Sequence, residues 1–257
     1  MASIQQANLS TNDLHILHSV FDPESTPSPS ITIDSTLPSD PTLPPATLAA
    51  LQALELSAIR HIEAVPPHAP PAEKHAAYTR ALAQLDAAVA AAPAYASARN
   101  NRAQLRRWRF GDHICGSAAA EAEAAGALAL ALADLDAAIA GAAHAGAAVA
   151  AGQARVLRSA WAQRGAVLFA VARDLARARA ERLPEGVVRA VGSAVEGALP
   201  EWVGWGRARF EEEASRCFFV AGVYGCEGGR ALAVVSNPYA RLCGAIVKEA
   251  VRGEVMG

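Results

Sequence analysis

The densest group of chemistry-bearing side chains is the run Asn100-Asn101-Arg102-Ala103-Gln104-Leu105-Arg106-Arg107. Carboxamides and guanidinium groups hydrogen-bond a peptide backbone or a terminal carboxylate, and arginine adds a bidentate fork. Wound as a helix, the run places Asn101, Gln104 and Arg107 on one face, with Asn100 beside them. The plain alternative is that Asn100 and Asn101 satisfy backbone groups while the arginines extend over apolar stems into solvent. Arg99, Arg102, Arg106, Arg107 and Arg109 also form a basic cluster around Trp108, which can stack on a base. That makes a nucleic-acid-associated or structural subunit the second reading, and salt dependence would separate it from peptide recognition.

Other chemistry finds little foothold. Cys115, Cys217, Cys226 and Cys243 are scattered without a CxxC pair or zinc spacing, and His113-x-Cys115 is an isolated close pair. Gly228-Gly229 lacks the strand–loop–helix context of a phosphate loop, and no GxSxG elbow occurs. Glu211, Glu212 and Glu213 are consecutive, so they fan around a helix and read as a solvated surface. The expectation is no catalytic residue, no metal and no cofactor: a protein that is not an enzyme.

The elements that must position these side chains are helices. Hydrophobic residues make up 52% of the 257, yet aromatics only 5%; alanine supplies the difference, and alanine favours helices packed closely. Leu51, Leu54, Ala58 and Ile62 mark a first helix ended by Pro66 and Pro67; Ala81, Leu85 and Ala88 mark a second, from about Ala72 to Ala92, stopped by Pro93. Pairs then recur at Ala96–Phe110 with Glu121–Ala140 and Arg155–Ala180 with Glu201–Gly222, the join from Arg182 to Pro200 having room for a further short helix. Asn237-Pro238 opens a last helix over Tyr239–Arg252, with Leu242, Cys243, Ile246 and Val247 on one face. Ala231–Val235 is the one candidate strand. Ahead of the pairs, Asn12–Phe21 reads as a short amphipathic helix, and Asp22–Pro45, with six prolines after Pro23, as an extended or disordered linker.

Net charge is −2, which argues against a wholesale nucleic-acid or membrane-surface binder. The start MASIQQANLS lacks the pattern of a signal peptide, and Asp, Arg or His interrupts every long apolar stretch, Ala137–Gly152 coming closest to a span. A cytoplasmic protein is expected, with the nucleus also open to it.

The helix pairs carry traces of the tetratricopeptide pattern W-x2-L-G-x2-Y, A-x3-F, P. Trp161-x2-Arg164-Gly165-x2-Leu168 holds its first half; Ala81-x3-Leu85-x2-Ala88 followed by Pro93 holds its second. Leu54-x2-Ser57-Ala58-x2-His61, Arg99-x2-Arg102-Ala103-x2-Arg106 and Ala131-x3-Leu135-x2-Ala138 keep the small residue in place. Matched positions are 45 and 62 residues apart, against about 34 for the pattern. The surplus falls in joins rich in proline, glycine or alanine.

In order along the chain, NDLHILHSVFDP (Asn12–Pro23), ALEL (Ala53–Leu56), YASARNNRAQLRR (Tyr95–Arg107), ALADLDAAI (Ala131–Ile139), QRG (Gln163–Gly165) and NPYARLC (Asn237–Cys243) resemble the family of tetratricopeptide repeat protein 36. These blocks cover roughly half the chain, and the long joins have no counterpart in compact animal members. The resemblance implies an all-α protein of three repeats in a short right-handed α-solenoid with a C-terminal capping helix. It also implies a cytosolic adaptor or co-chaperone that binds other proteins, a seventy-kilodalton heat-shock chaperone among them, and a link to tyrosine catabolism.

On that frame residues 1–45 form the lead-in and 46–257 the repeat domain. Repeats fall at about 46–95, 96–142 and 155–225, and the cap at 237–252. The concave face is lined by the first helix of each pair. Repeat three then presents Ser159, Gln163 and Ala166, so Gln163 joins Asn100, Asn101, Gln104 and Arg107 as candidate groove residues. Clamp-type repeats grip a terminal aspartate with cationic residues on the first and third leading helices. Here those positions are Glu55 and Ile59, then Ser159 and Gln163; Asn101 alone fits, so any chaperone contact is expected to lack the full clamp.

Overall fold

The computed structural model describes residues 31–113, 118–144, 146, 148–240, 242–244, 246, 249 and 252, together with Leu14. Most are helical. Proline punctuates the first elements. Helix α1 (Pro45–Glu63) and helix α2 (Pro71–Ala91) each begin with proline at the first helical position, where its missing N–H is no loss. Arg60 and His61 in the last turn of α1 complement the helix dipole. Helix α3 (Ala96–Phe110) starts three residues beyond Pro93 and ends at Gly111; helix α4 (Ala118–Gly141) follows. After a join come helix α5 (Ala151–Ala178), helix α6 (Glu185–Ala194), a 3-10 turn at Glu201–Gly204, helix α7 (Arg207–Val223) and helix α8 (Glu227–Ser236).

Successive helices pack on one another: α1 on α2, α2 on α3, α3 on α4, α4 on α5. The third pair is α5 with α7. Between them α6 fills the long join and turns back onto α4. Gly165 shows why the pair interlocks: a Cβ there would lie 3.0 Å from the Phe218 ring and 3.2 Å from the Ala214 carbonyl oxygen. Phe218 therefore sits against bare α5 backbone. The core changes character along the stack. Leu51, Ala58, Ala81, Leu85, Ala88 and Leu105 fill the first half, whereas Leu168, Val171, Leu175, Trp202, Phe210 and Phe218 fill the last.

Three sequence expectations require correction. Ala231–Val235 is not a strand; it lies within α8, which buries Gly229, Ala233 and Ser236. A short apolar run carries no period that separates helix from strand. The strands lie elsewhere: β1 (Thr32–Asp34), inside the supposed linker, pairs in parallel with β2 (Ala148–Ala150), Ile33 opposite Val149. The strap formed by residues 31–44 is thereby fixed to the body, and a Cβ on Gly152 would come 2.5 Å from the Ser39 carbonyl oxygen. The third concerns the C-terminal helix. Asn237 does cap it, its Oδ1 accepting the Tyr239 and Ala240 backbone N–H at 2.9 Å. However, Leu242 and Ile246 are 59% and 58% exposed, so these two do not cover the last pair; α8 packs on α7 instead.

The helix expected over Asn12–Phe21 lies outside the described residues apart from Leu14, which is helical and exposed. Among the described residues, the helical stretch long and apolar enough to span a membrane is Ala122–Gly141, with a mean hydropathy of 1.6, and it overlaps Ala137–Gly152 only at its end. Its Leu128, Leu132 and Leu135 are buried in the protein core.

Candidate functional site

One groove of about 430 Å³ is lined by the leading helices of all three pairs. Helix α1 contributes Gln52, Glu55, Leu56 and Ile59; α3 contributes Asn100, Asn101 and Gln104; α5 contributes Gln153, Arg155, Val156 and Ser159. Ser39 and Asp40 of the strap stand at its edge. An adjoining lobe continues past Ile59, Ile62, Glu63, Leu105 and Trp108 and shares Glu55, Asn101 and Gln104 with the groove.

Glu55 is the hub. Tyr95 Oη donates to its Oε2 at 2.6 Å, and Ser97 Oγ and Asn101 Nδ2 donate to its Oε1 at 2.7 Å each. The residue is 7% exposed. Burial, and then the Glu55 carboxylate, push the Tyr95 phenol well above its ordinary range, so it stays a donor. Sequence reasoning met Glu55 only as a departure from the clamp pattern and passed over Tyr95 and Ser97. Their signal was available, since both stand at the head of the YASARNNRAQ block.

The five predicted residues divide. Asn101 and Gln104 line the groove and its lobe. Asn100 also borders the groove but is buried, its Oδ1 accepting from Gln163 Nε2 at 2.9 Å. Gln163 is a buried strut between α5 and α3, bonded in addition to Ser159 at 3.3 Å. Arg107 is tied to Asp112 by two 2.7 Å bonds and reaches Gln163 Oε1 at 3.1 Å. Arg107 and Gln163 thus join each other and do not line the groove.

The arginines of α3 neither reach into solvent nor offer a basic face. Arg102 grips Asp134 with bonds of 2.8 and 2.6 Å, Arg106 pairs with the same carboxylate, and Arg99 lies 3.5 Å from it. Asp134 is 3% exposed. Its hydrogen bond to Arg102, with the Coulombic attraction, holds that guanidinium more firmly protonated than usual. Arg102 also bonds Asp86 at 2.7 Å. Arg109 rests over the Phe110 ring, 5.1 Å from its centre.

The remaining candidates are structural. Glu211 and Glu213 are buried, not solvated, and pair with Arg207 at 3.1 Å and Arg209 at 2.8 Å. His113 Nδ1 lies 3.0 Å from Asp174; Cys115 lies outside the described residues. Burial pushes the Cys217 thiol up to about 11 against the opposing pull of Arg164, a poor setting for a nucleophile. Among the described residues no group of His, Cys, Asp and Glu has the arrangement of a metal site.

A curated relative matches nearly end to end. The L-tyrosine degradation gene cluster protein hmgX of Aspergillus fumigatus is 33% identical over 260 residues, covering 97% of this chain and 94% of the relative. This chain belongs to the hmgX family. No family model matches it, and no solved structure does. The aligned span takes in the strap and the long joins as well as the helices.

Proposed function

We propose that the chain is a non-catalytic adaptor serving L-tyrosine breakdown, which holds a segment of another protein in the groove between its leading helices. The observation that carries this reading is the convergence of α1, α3 and α5 on one groove with polar side chains from each. That is the arrangement expected of a short tetratricopeptide-type solenoid, in which the first helix of every pair lines the concave face. The resemblance to the family of tetratricopeptide repeat protein 36 supports it, and the name of the hmgX relative, a protein of the L-tyrosine degradation gene cluster, supplies the metabolic setting. The groove's volume lies within the range of small binding sites, and its continuation into the adjoining lobe past Ile62 and Trp108 favours an extended chain segment. Cytosolic partners are the candidates, a seventy-kilodalton heat-shock chaperone among them. The alternative, an acidic polymer on the arginine-rich helix, is disfavoured because Asp134, Asp86 and Asp112 engage Arg99, Arg102, Arg106 and Arg107.

Affinity capture from cytosol of cells grown on L-tyrosine tests the reading. An Asn101→Ala/Gln104→Ala variant, shown to be folded by circular dichroism, should lose partners that the wild type retains, tyrosine-catabolic enzymes among them. Equal capture by both proteins would move binding off the groove and overturn the reading.

A further inference from the structure

We infer that the occupant of the groove is a cationic segment of the partner, a lysine or arginine flanked by large apolar residues, anchored on Glu55. The inference rests on the adaptor reading and adds the chemistry of what is held.

Glu55 is a buried carboxylate whose partners are all neutral: a phenol, a hydroxyl and a carboxamide. Among the described residues it makes no ion pair, since no Lys, Arg or His nitrogen lies within 4.0 Å. A carboxylate offers about four lone-pair positions, and three hydrogen bonds leave one open, on Oε2. Neutral donors orient this charge without cancelling it, and a low-dielectric wall sustains its field. Acids outnumber cations in the lining: Asp40 stands in the groove and Glu63 in the adjoining lobe, against the exposed Arg155. An acidic carboxyl terminus would meet repulsion here, whereas an ammonium or guanidinium group would complete the coordination of Glu55.

Apolar surface sets the neighbouring requirement. Leu56, Ile59 and Trp108 are 47%, 42% and 40% exposed, Leu56 lining the groove, Trp108 the lobe and Ile59 both. Leucine or phenylalanine side chains next to the cation would cover them, and Trp108 can take a second cation over its face. Gln104, exposed and making no side-chain hydrogen bond among the described residues, offers its amide to the segment's backbone.

Fluorescence anisotropy on the full chain tests this with fluorescein-labelled, end-blocked ten-residue peptides. Their central triplets would be Leu-Lys-Leu, Leu-Gln-Leu or Leu-Glu-Leu. The lysine peptide should bind at least about tenfold more tightly than the glutamate peptide, and Glu55→Gln should weaken it by about tenfold or more. Arg155→Glu alters an exposed side chain and should tighten the same peptide, which keeps the test decisive if Glu55→Gln disturbs folding. Preference for the glutamate peptide, or insensitivity to both substitutions, overturns the inference. Loss of that binding in Asn101→Ala/Gln104→Ala would still leave the groove reading standing. Binding by none of the three peptides also overturns the inference, while partner capture decides the adaptor reading separately.

Discussion

Two carboxylates on neighbouring helix pairs are almost equally buried and are held in opposite ways. Asp134 of α4 receives three arginines of α3. Glu55 of α1 receives three neutral donors, all from the segment Tyr95–Asn101. The first arrangement is closed: charge, hydrogen bonds and geometry are satisfied within the chain, and the cluster joins α3 to α4. The second has its hydrogen bonds largely met but its charge uncompensated, and it faces a groove. Burial alone therefore does not separate a structural carboxylate from a binding one; the charge of its partners does.

Asp134→Ala should have the largest effect. Stripping the shared carboxylate from three largely buried guanidinium groups should cost about 3–5 kcal/mol, read from the urea midpoint by circular dichroism. A loss below about 1 kcal/mol would mean that the arginines find other partners and that the cluster is not closed. Glu55→Gln should cost less, roughly 1–3 kcal/mol, because an acceptor oxygen survives and no cation is stranded. A penalty equal to that of Asp134→Ala would erase the distinction.

Tyr95→Phe removes one donor from Glu55 and should cost about 1 kcal/mol near neutral pH. Its pH dependence is more telling. The folded protein favours the protonated phenol, so the stabilisation is full below the ordinary value of 10 and is lost as pH rises from there towards the folded value. The wild type should accordingly show a steeper stability loss than Tyr95→Phe between about pH 9.5 and 11, measured as urea midpoints; parallel curves would remove Tyr95 as the donor to Glu55. Smallest of all, Asp86→Ala should change stability by less than about 1 kcal/mol, because Asp86 is half exposed and Arg102 keeps Asp134.

Helix positions were legible wherever proline or glycine punctuated them: Pro45, Pro71, Pro93 and Gly111 stand at or near observed boundaries. The small residue of the Trp161–Leu168 signature was legible too, and Phe218 is what it accommodates. β1 and β2 were not, because three-residue strands separated by more than a hundred positions carry no local pattern. Val234 and Val235 biased a helical turn towards a strand, although their neighbours pack on α7. At the site, Asn101 and Gln104 followed from helical spacing, whereas the partners of Arg107 and of the Asp134 cluster depend on how helices pack. Glu55 was visible as an acid where a cation was expected, but its three donors come from some 40 residues downstream.

The β1–β2 pairing has a consequence for how the molecule assembles. A stack in which helices touch mainly their chain neighbours has low contact order and can come apart from either end. Here a strand preceding α1 is fastened to the residues that lead into α5, so a single short ladder bridges the first two pairs. Because two helix pairs separate its halves, the clasp ties the strap ahead of α1 to the body and opposes independent fraying there. An otherwise open row of helices thereby acquires a loop, and with it a reason to unfold as a unit.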